Sequence, residues 1–360
     1  MSKKIEELDK NFKIEASIDR EGIVFYDAKV EPFTVHGLMR EDGKYVRIPY
    51  AVAKTVNKTV ESLYRHTAGG RVRFVTDSPY VAIKSIQPKW GIFPHMAPTG
   101  QTGFDMYVGN VYYKTFIPPA VNDGGYESVQ DFPDSKKRLI TINFPLYYNV
   151  DELYIGLKEG CLLEKAPDYT ISKPIVYYGS SITQGGCASR AGTSYQGFIS
   201  RRFDADYINL GFSGSAFGEE TIADYIADLD MSIFVSDYDY NAITLADLEA
   251  THERLFLKVR EKHPDMPIVI VSHPGYFFTD EDPRFKIVKR TYENAIARGD
   301  KNVYYVPGNE LMALCENEGT VDALHPTDLG FFSMAQRIGD ELAKILNQGV
   351  REETFRTVAP

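Results

Sequence analysis

The second half of the sequence alternates short apolar runs with helical stretches, and this alternation restricts the fold more than any other feature. Five runs have the length and composition of buried strands: Pro174 to Tyr178, Tyr207 to Leu210, Ser232 to Val235, Pro267 to Val271 and Val303 to Val306. Strands that alternate with helices predict a parallel sheet with helices on both faces. We therefore predict a three-layer αβα, flavodoxin-like domain with a five-stranded parallel sheet over residues 173–360. Its last helix should bury Leu329, Phe332, Ala335, Ile338 and Leu342, which recur at helical spacing.

The first half contains short β-prone runs separated by Gly, Pro, Asp and Asn. The run Arg71 to Val75 alternates charged and apolar residues, which is typical of a strand with one wet and one buried face. Tyrosine is abundant, with 24 residues, and it suits such half-exposed strands. We predict an antiparallel β-sandwich of the jelly-roll kind over residues 1–172.

Charge and composition exclude several classes of function. The formal net charge is -10, and no Lys/Arg-rich run overrides it locally, so a nucleic acid partner is excluded. No apolar stretch approaches the roughly 20 residues that span a bilayer, and the first residues lack a secretory signal. We therefore expect a cytoplasmic protein with no membrane contact. The cysteines Cys161, Cys187 and Cys315 fit neither a disulfide framework nor a zinc site, and we predict no metal and no cofactor.

Candidate catalytic residues follow the first strand of the predicted sheet. Ligands of such sheets bind beyond the carboxyl ends of the strands. The first strand leads into Gly179-Ser-Ser-Ile-Thr-Gln-Gly185, where Ser181 would stand at the start of a helix and could act as a nucleophile if a base takes its proton. The same turn would also suit a phosphate group, so an FMN-type site remains an alternative.

A histidine that could serve as this base lies far along the chain. In Val321-Asp-Ala-Leu-His-Pro326, Asp322 precedes His325 by three residues. This spacing lets the carboxylate accept from Nδ1 of the imidazole and leaves Nε2 free to face a serine. The alternative is that the pair only caps a helix.

Two further loops offer hydrogen-bond donors. The second strand leads into Asn209-Leu-Gly-Phe-Ser-Gly214, and the third into Asp237-Tyr-Asp-Tyr-Asn241. The N–H of Gly214 and the side-chain amide of Asn241, with the N–H of Ser181, are donors of the kind that an oxyanion hole needs. Each could instead be an ordinary turn residue or an Asx cap.

The order of these blocks resembles that of the SGNH, or GDSL-like, hydrolase superfamily of esterases and acyltransferases. Over residues 173 to 347 the serine, glycine, asparagine and Asp-x-x-His blocks occur in sequence. Two departures are present: a serine precedes Ser181 where the family often has aspartate, and Asn241 stands in Asp-Tyr-Asn-Ala instead of Gly-x-Asn-Asp. The resemblance implies a catalytic triad of Ser181, His325 and Asp322, with Ser181, Gly214 and Asn241 as the oxyanion hole.

The first half carries a second resemblance. Gly103-Phe-Asp-Met-Tyr107 resembles the Gly-x-Asp-Leu-Tyr signature of the β-sandwich that precedes one branch of these hydrolases. The resemblance implies that this domain packs against the catalytic domain, with Asp105 or Tyr107 as a substrate-binding candidate or as a structural residue. Further substrate-binding candidates are Trp90, which could stack on a sugar or lie in the core, and Arg190 and His273 in loops of the predicted cleft, which could contact substrate or have a structural role.

Together these features favour a serine esterase. The resemblance implies a short acyl group, with acetyl preferred, on a small-molecule or oligosaccharide ester. An acyltransferase would use the same residues and differ only in the acceptor. A non-catalytic carbohydrate-binding or FMN-binding protein is a further alternative, and the sequence leaves self-association into a homo-oligomer open.

Overall fold

A computed structural model describes residues 18–89, 91–121 and 123–346. From Ile23 to Glu164 the described chain consists mainly of antiparallel strands. These strands are β1 (Ile23–Asp27), β2 (Thr34–His36), β3 (Met39–Glu41), β4 (Lys44–Val46), β5 (Arg71–Thr76), β6 (Tyr80–Ile86), β7 (Phe104–Val108), β8 (Val111–Phe116), β9 (Gly125–Asp131), β10 (Arg138–Asn143), β11 (Glu152–Lys158) and β12 (Leu163–Glu164). The helices among them are α1 (Tyr50–Val56), α2 (Lys58–Leu63) and α3 (Pro98–Gln101).

Ten of these strands form two antiparallel sheets around one apolar core, and β3 and β4 pair only with each other. One sheet has the order β1-β11-β6-β9, and the other has the order β12-β5-β10-β7-β8 with β2 beside β5. Phe74, Phe104 and Ile142 of one sheet and Ile83 and Ile155 of the other belong to the same buried cluster. The arrangement is the predicted antiparallel sandwich, and its description as a jelly roll remains a prediction.

The charged face of β5 does not face water, so that prediction was wrong. Arg71 is 2% exposed and Arg73 is 3% exposed. The reason is that the C-terminal part and the segment that leads into it cover this face. Arg71 forms an ion pair with Asp206 of the C-terminal part, and the Arg73 guanidinium lies 3.8 Å from the ring centre of Tyr169 in the connecting segment. Charged residues that alternate with apolar ones therefore mark an interface here.

The C-terminal part contains the predicted parallel sheet. Its strands are β13 (Ile171–Gly179), β14 (Ala205–Gly211), β15 (Ile233–Asp237), β16 (Ile268–Val271) and β17 (Val303–Val306), and their order is β14-β13-β15-β16-β17. All neighbouring pairs are parallel, which confirms the five-stranded parallel sheet. We place the division between the two parts near residue 172, at the start of β13, as a proposal.

Helices cover both faces of this sheet. They are α4 (Ser181–Gln184), α5 (Tyr195–Phe203), α6 (Glu220–Ala227), α7 (Leu245–Lys262), α8 (Pro283–Ala297) and α9 (Asp328–Ile345). Successive residues of a strand point to opposite faces. Accordingly, Ile175 and Tyr177 of β13 join the cluster formed with α5 and α9, whereas Val176 and Tyr178 join the cluster formed with α6, α7 and α8. The result is the predicted αβα sandwich.

The apolar face of α9 includes Ala335, Ile338 and Leu342 as predicted, but Leu329 is not part of it and Phe332 is only half-buried. Leu329 is 50% exposed, whereas Phe331, Met334, Ala335 and Ile338 are buried. Because Phe331 and Phe332 are adjacent, the sequence pattern alone permits either of two helix faces. Both rings contact α5, Phe331 through Tyr195 and Phe332 through Phe198, but only Phe331 is fully buried. No helix among the residues described above is long and apolar enough to cross a membrane, and a cytoplasmic location remains a prediction.

Candidate active site

Ser181 begins helix α4, immediately beyond the carboxyl end of β13. The turn is tight, because a Cβ at Gly179 would lie 2.1 Å from the backbone oxygen of Asp237 on the neighbouring strand. The Ser180 hydroxyl accepts a hydrogen bond from the N–H of Ile182 at 3.1 Å and caps the helix. Glycine and the capping serine together place Ser181, half-buried, at the edge of the sheet.

The structure brings Ser181, His325 and Asp322 together. The Ser181 Oγ lies 2.9 Å from Nε2 of His325, although 144 residues separate them in sequence. Nδ1 of the imidazole lies 2.8 Å from Oδ2 of Asp322, and Oδ1 of the same carboxylate accepts the backbone N–H of His325 at 2.7 Å. The two contacts fix the ring so that Nε2 faces the serine.

Asp322 is suited to support a positively charged imidazole. Partial burial on its own would raise the pKa of Asp322, but the hydrogen bonds from His325 and from the backbone N–H of Leu324 outweigh it and lower that pKa. The carboxylate is therefore ionised at neutral pH. The Asp322 side chain is 41% exposed and the His325 side chain is 19% exposed, so water reaches this side of the site.

Two loops at the same sheet edge hold the predicted oxyanion donors. Gly214 is exposed and has φ of +66°, and a Cβ there would meet nothing within 4 Å. The backbone conformation, and not lack of space, therefore favours glycine. Asn241 ends a 3₁₀ turn that follows β15, and its Oδ1 accepts the N–H of Ala216 at 3.3 Å. With the oxygen so engaged, Nδ2 is the end of this amide that remains for a ligand.

Hydrogen bonds with His273 and Arg284 stabilise the turn that carries Asn241. The buried Asp239 carboxylate accepts the backbone N–H of His273 at 3.0 Å and contacts its Nδ1 at 2.7 Å. Arg284 donates to the carbonyls of Asp239 at 2.6 Å and Ala242 at 2.9 Å. His273 is only 2% exposed, so these contacts favour support of the Asn241 turn over the predicted contact with substrate.

The Gly-x-Asp-Met-Tyr segment joins the sandwich to the catalytic part. Asp105 is fully buried and accepts from Nη1 of Arg190 at 2.9 Å, from the N–H of Gly192 at 2.9 Å and from Asn143 at 2.8 Å. Tyr107 is 3% exposed and accepts a hydrogen bond from Arg190. These contacts do not support substrate binding by Asp105, Tyr107 or Arg190; they fasten the loop after α4. Trp90 lies outside the described residues.

Sequence analysis missed the residues that the sandwich contributes to this site. The Tyr147 hydroxyl donates to the backbone oxygen of Ser181 at 3.0 Å. The ring centres of His95 and His325 are 5.8 Å apart, and Phe93 lies beside His95. His95 and Phe93 are both exposed. No local pattern marks these residues, because only the packing of the two parts brings them to the serine.

Replacing Asn241 tests the predicted oxyanion donor whose sequence block departs from the family pattern. Asn241→Ala should lower kcat about 10²- to 10³-fold with little effect on KM, because an oxyanion donor acts mainly in the transition state. Asn241→Asp is the sharper variant, since it keeps an oxygen for Ala216 but removes the donor, and it should lose at least as much. Ester hydrolysis by purified variants measures both. An unchanged kcat in either would remove Asn241 from the oxyanion hole.

Asn209 is not an alternative donor. It is fully buried, its Nδ2 donates to the carbonyl of Thr183 at 2.7 Å, and its Oδ1 accepts the N–H of Gly211 at 2.9 Å. Both ends of the side chain are thus engaged with the backbone.

Comparison with known proteins agrees with this architecture. Residues 172–343 match the GDSL-like lipase/acylhydrolase family, and residues 23–163 match the GxDLY family, the N-terminus of SGNH hydrolase-type esterases. Both matches confirm the resemblances seen in the sequence. A search of the curated proteins finds no match.

Several solved structures share the fold of the whole chain. A GDSL-like protein from Bacteroides ovatus is 28% identical with a TM-score of 0.79, and the alignment covers 90% of this chain and 98% of that one. The salicylyl-acyltransferase SsfX3 of a tetracycline biosynthetic pathway is 22% identical with a TM-score of 0.75, covering 92% and 100%. An acetyl xylan esterase from Butyrivibrio proteoclasticus is 10% identical with a TM-score of 0.59, covering 90% and 100%.

Proposed function

We propose that this chain, whose residues 172–343 match the GDSL-like lipase/acylhydrolase family, is a serine esterase that removes short acyl groups, acetyl above all, from carbohydrates. The observation that carries the proposal is the unbroken contact from the Ser181 hydroxyl through His325 to the Asp322 carboxylate, at 2.9 Å and 2.8 Å. A turn built only to bind phosphate has no need of this arrangement, so the FMN-binding alternative gains no support from it.

The first half of the reaction forms an acyl-enzyme. His325 Nε2 takes the proton of Ser181 as the serine oxygen attacks the ester carbonyl carbon, and Asp322 stabilises the resulting imidazolium. The carbonyl oxygen becomes an oxyanion that accepts hydrogen bonds from the N–H groups of Ser181 and Gly214 and from Nδ2 of Asn241. When the tetrahedral intermediate collapses, the sugar oxygen leaves with the proton that His325 returns to it.

Water completes the reaction. His325 takes a proton from a water molecule as that water attacks the acyl carbonyl, and the same oxyanion donors hold the second intermediate. Ser181 then leaves with the proton and the carboxylic acid is released. The partial exposure of His325 and Asp322 in the described structure supports water as the acceptor, since water can reach the imidazole from this side. An acyltransferase would hold an alcohol at the same position.

The sandwich supports a carbohydrate as the alcohol part of the ester. Its loop around Phe93 and His95 adjoins the catalytic histidine and exposes apolar surface, with Ile92 55% and Phe93 39% exposed. An exposed aromatic ring provides a flat face on which a sugar ring can stack. Gln101, which is fully buried, holds the loop by bonding Phe93 N–H at 3.0 Å and Gly91 O at 2.7 Å. Among the structurally similar proteins, one is an acetyl xylan esterase.

Kinetics on three esters test this assignment. With p-nitrophenyl acetate, p-nitrophenyl decanoate and an acetylated xylo-oligosaccharide, kcat/KM for acetate should exceed that for decanoate about tenfold or more. Phe93→Ala should raise KM for the oligosaccharide roughly 2- to 10-fold and leave p-nitrophenyl acetate unaffected, because only the sugar reaches the ring.

Leu257→Ala is the matched control for this prediction. Leu257 is an exposed apolar residue on the outer face of α7, and its loss should change neither substrate. A preference for decanoate would contradict the short-acyl assignment, and equal effects of the Phe93 change on both acetyl esters would contradict the sugar platform. Addition of an alcohol acceptor that captures most of the acyl group at the expense of water would favour the acyltransferase.

A further inference from the structure

Arg47 is a fully buried cation without a counter-ion. Its Nη1 donates to the carbonyl of Gly211, its Nη2 donates to the carbonyl of Leu63 at 2.9 Å, and its guanidinium lies 4.5 Å from the ring centre of Phe212. Its Nε is buried without a partner. Within residues 18–346, apart from the two undescribed positions, no Asp or Glu forms an ion pair with it.

Such a charge is costly to bury, and pairing with a carboxylate offsets this cost at another buried arginine of the sandwich. This arginine is Arg71, which is paired with Asp206. Burial lowers the pKa of Arg47 to about 9, so the side chain is still protonated at neutral pH. The neighbouring His66 is neutral, because burial, with a smaller contribution from Arg47, lowers its pKa to about 3. A cation retained at this cost is expected where its charge has a use.

Arg47 contacts Gly211 and Phe212, at the start of the loop that carries Gly214. Gly211 ends β14, and from there the chain runs through Phe212 and Ser213 to Gly214. The N–H of Phe212 donates to the carbonyl of Gly179, two residues before Ser181, at 2.8 Å. The N–H of Ser213 donates to Oε1 of Gln184 at 3.0 Å, and a Cβ on Gly211 would lie 2.1 Å from the backbone nitrogen of Gln184. The loop is thus in direct contact with the turn that bears the nucleophile.

We infer that Arg47 is a positioning residue of this active site, whose unpaired charge holds the Gly214 loop and stabilises the negative charge that develops on the ester oxygen. The inference rests on the proposed function. In the ground state no carboxylate of the described residues pairs with Arg47, whereas the transition state introduces a negative charge on the ester oxygen. An interaction that strengthens only in the transition state raises kcat, and in a buried, weakly polarisable setting it acts beyond direct contact. The sandwich would then contribute to the chemistry as well as to substrate binding.

Two variants separate charge from hydrogen bonding. Arg47→Gln keeps a donor for one carbonyl and removes the charge, whereas Arg47→Lys keeps the charge. We expect Arg47→Gln to lower kcat on p-nitrophenyl acetate about 10²-fold with little change in KM, and Arg47→Lys to stay within about tenfold of the parent enzyme. Affinity for an arylboronic acid, whose adduct with Ser181 is a tetrahedral anion, should fall with kcat in Arg47→Gln.

Arg73→Gln is the matched control. Arg73 is also a buried arginine of the sandwich without a carboxylate partner, but it lies against Tyr169 and touches no site residue, so kcat should not change. Circular dichroism and thermal melting establish that each variant is folded. Wild-type kcat in folded Arg47→Gln, or a loss in Arg47→Lys as large as in Arg47→Gln, would overturn the inference.

The experiment still decides if Arg47→Gln does not fold or if the proposed function itself is wrong. If Arg47→Gln does not fold, Arg47→Lys decides alone, and a 10²-fold loss there would show that shape matters and charge does not. The proposed function fails separately, through an active Ser181→Ala variant. An inactive Ser181→Ala beside an unaffected Arg47→Gln would refute only the role of Arg47.

Discussion

Ser181→Ala should lower kcat for ester hydrolysis on the order of 10³-fold or more, because the reaction then has no nucleophile to form the acyl-enzyme. The protein should remain folded, since the hydrogen bond that the structure gives the Ser181 hydroxyl within the described residues is the one with His325. Steady-state kinetics on p-nitrophenyl acetate, with thermal melting to verify folding, measure the effect. Residual activity should come from binding and from the oxyanion donors alone.

Ser180→Ala is the control for this experiment. Ser180 is adjacent in sequence, but its hydroxyl caps α4 by accepting from Ile182. Its loss should cost about 1 kcal/mol of stability and leave kcat within several-fold of the parent value. Near-normal turnover by Ser181→Ala, or a larger loss from Ser180→Ala, would contradict the assignment of the nucleophile.

His325→Ala should be as damaging as the serine change, and the double variant should be no worse than either single one. Ser181 and His325 act on the same proton. Once one of them has been replaced, replacing the other should therefore have little further effect on kcat. Asp322→Asn should fold normally and lower kcat roughly 10²- to 10⁴-fold, because an amide favours the wrong imidazole tautomer. The same assay measures all three. Losses that multiply in the Ser181/His325 double variant would show that the two residues act independently.

The fold was predictable from the sequence because its signals are local and repeated. Five strand-helix units suffice to indicate a parallel sheet, and the confirmed sheet contains all five predicted strands. Single elements were less certain where adjacent residues are chemically alike. In α9, Phe331 and Phe332 are adjacent and both contact α5, and only the packed structure shows that Phe331 is the fully buried one.

The candidate triad could be predicted from the sequence for a different reason. The carboxyl ends of parallel strands meet at one edge, so residues in separate loops could be expected to converge before any coordinates were known. The roles of the converging groups remain predictions that the variants above test. By contrast, Asp105 was a candidate because of the Gly-x-Asp-Met-Tyr segment, and His273 because of its loop in the predicted cleft. The structure buries both side chains in hydrogen bonds within the protein.

The contribution of the sandwich could not be read from the sequence. Tyr147, His95 and Arg47 lie in loops without any recognisable pattern, and each reaches the site only through the contact between the two parts. The same contact buries the charged face of β5, which the alternation of residues had assigned to solvent. The role of a residue at such an interface depends on the residues that it contacts across the interface, and a single sequence does not reveal those contacts.

Labelling of the folded protein with a fluorophosphonate, followed by peptide mass spectrometry, tests the central claim most directly. Such a probe reacts with a serine whose hydroxyl is activated by a neighbouring base, and it does not require the natural ester to be known. The account predicts one modified residue, Ser181, and loss of labelling in His325→Ala. A label on Ser180 or Ser213, or a folded and active enzyme that takes up no label, would contradict it.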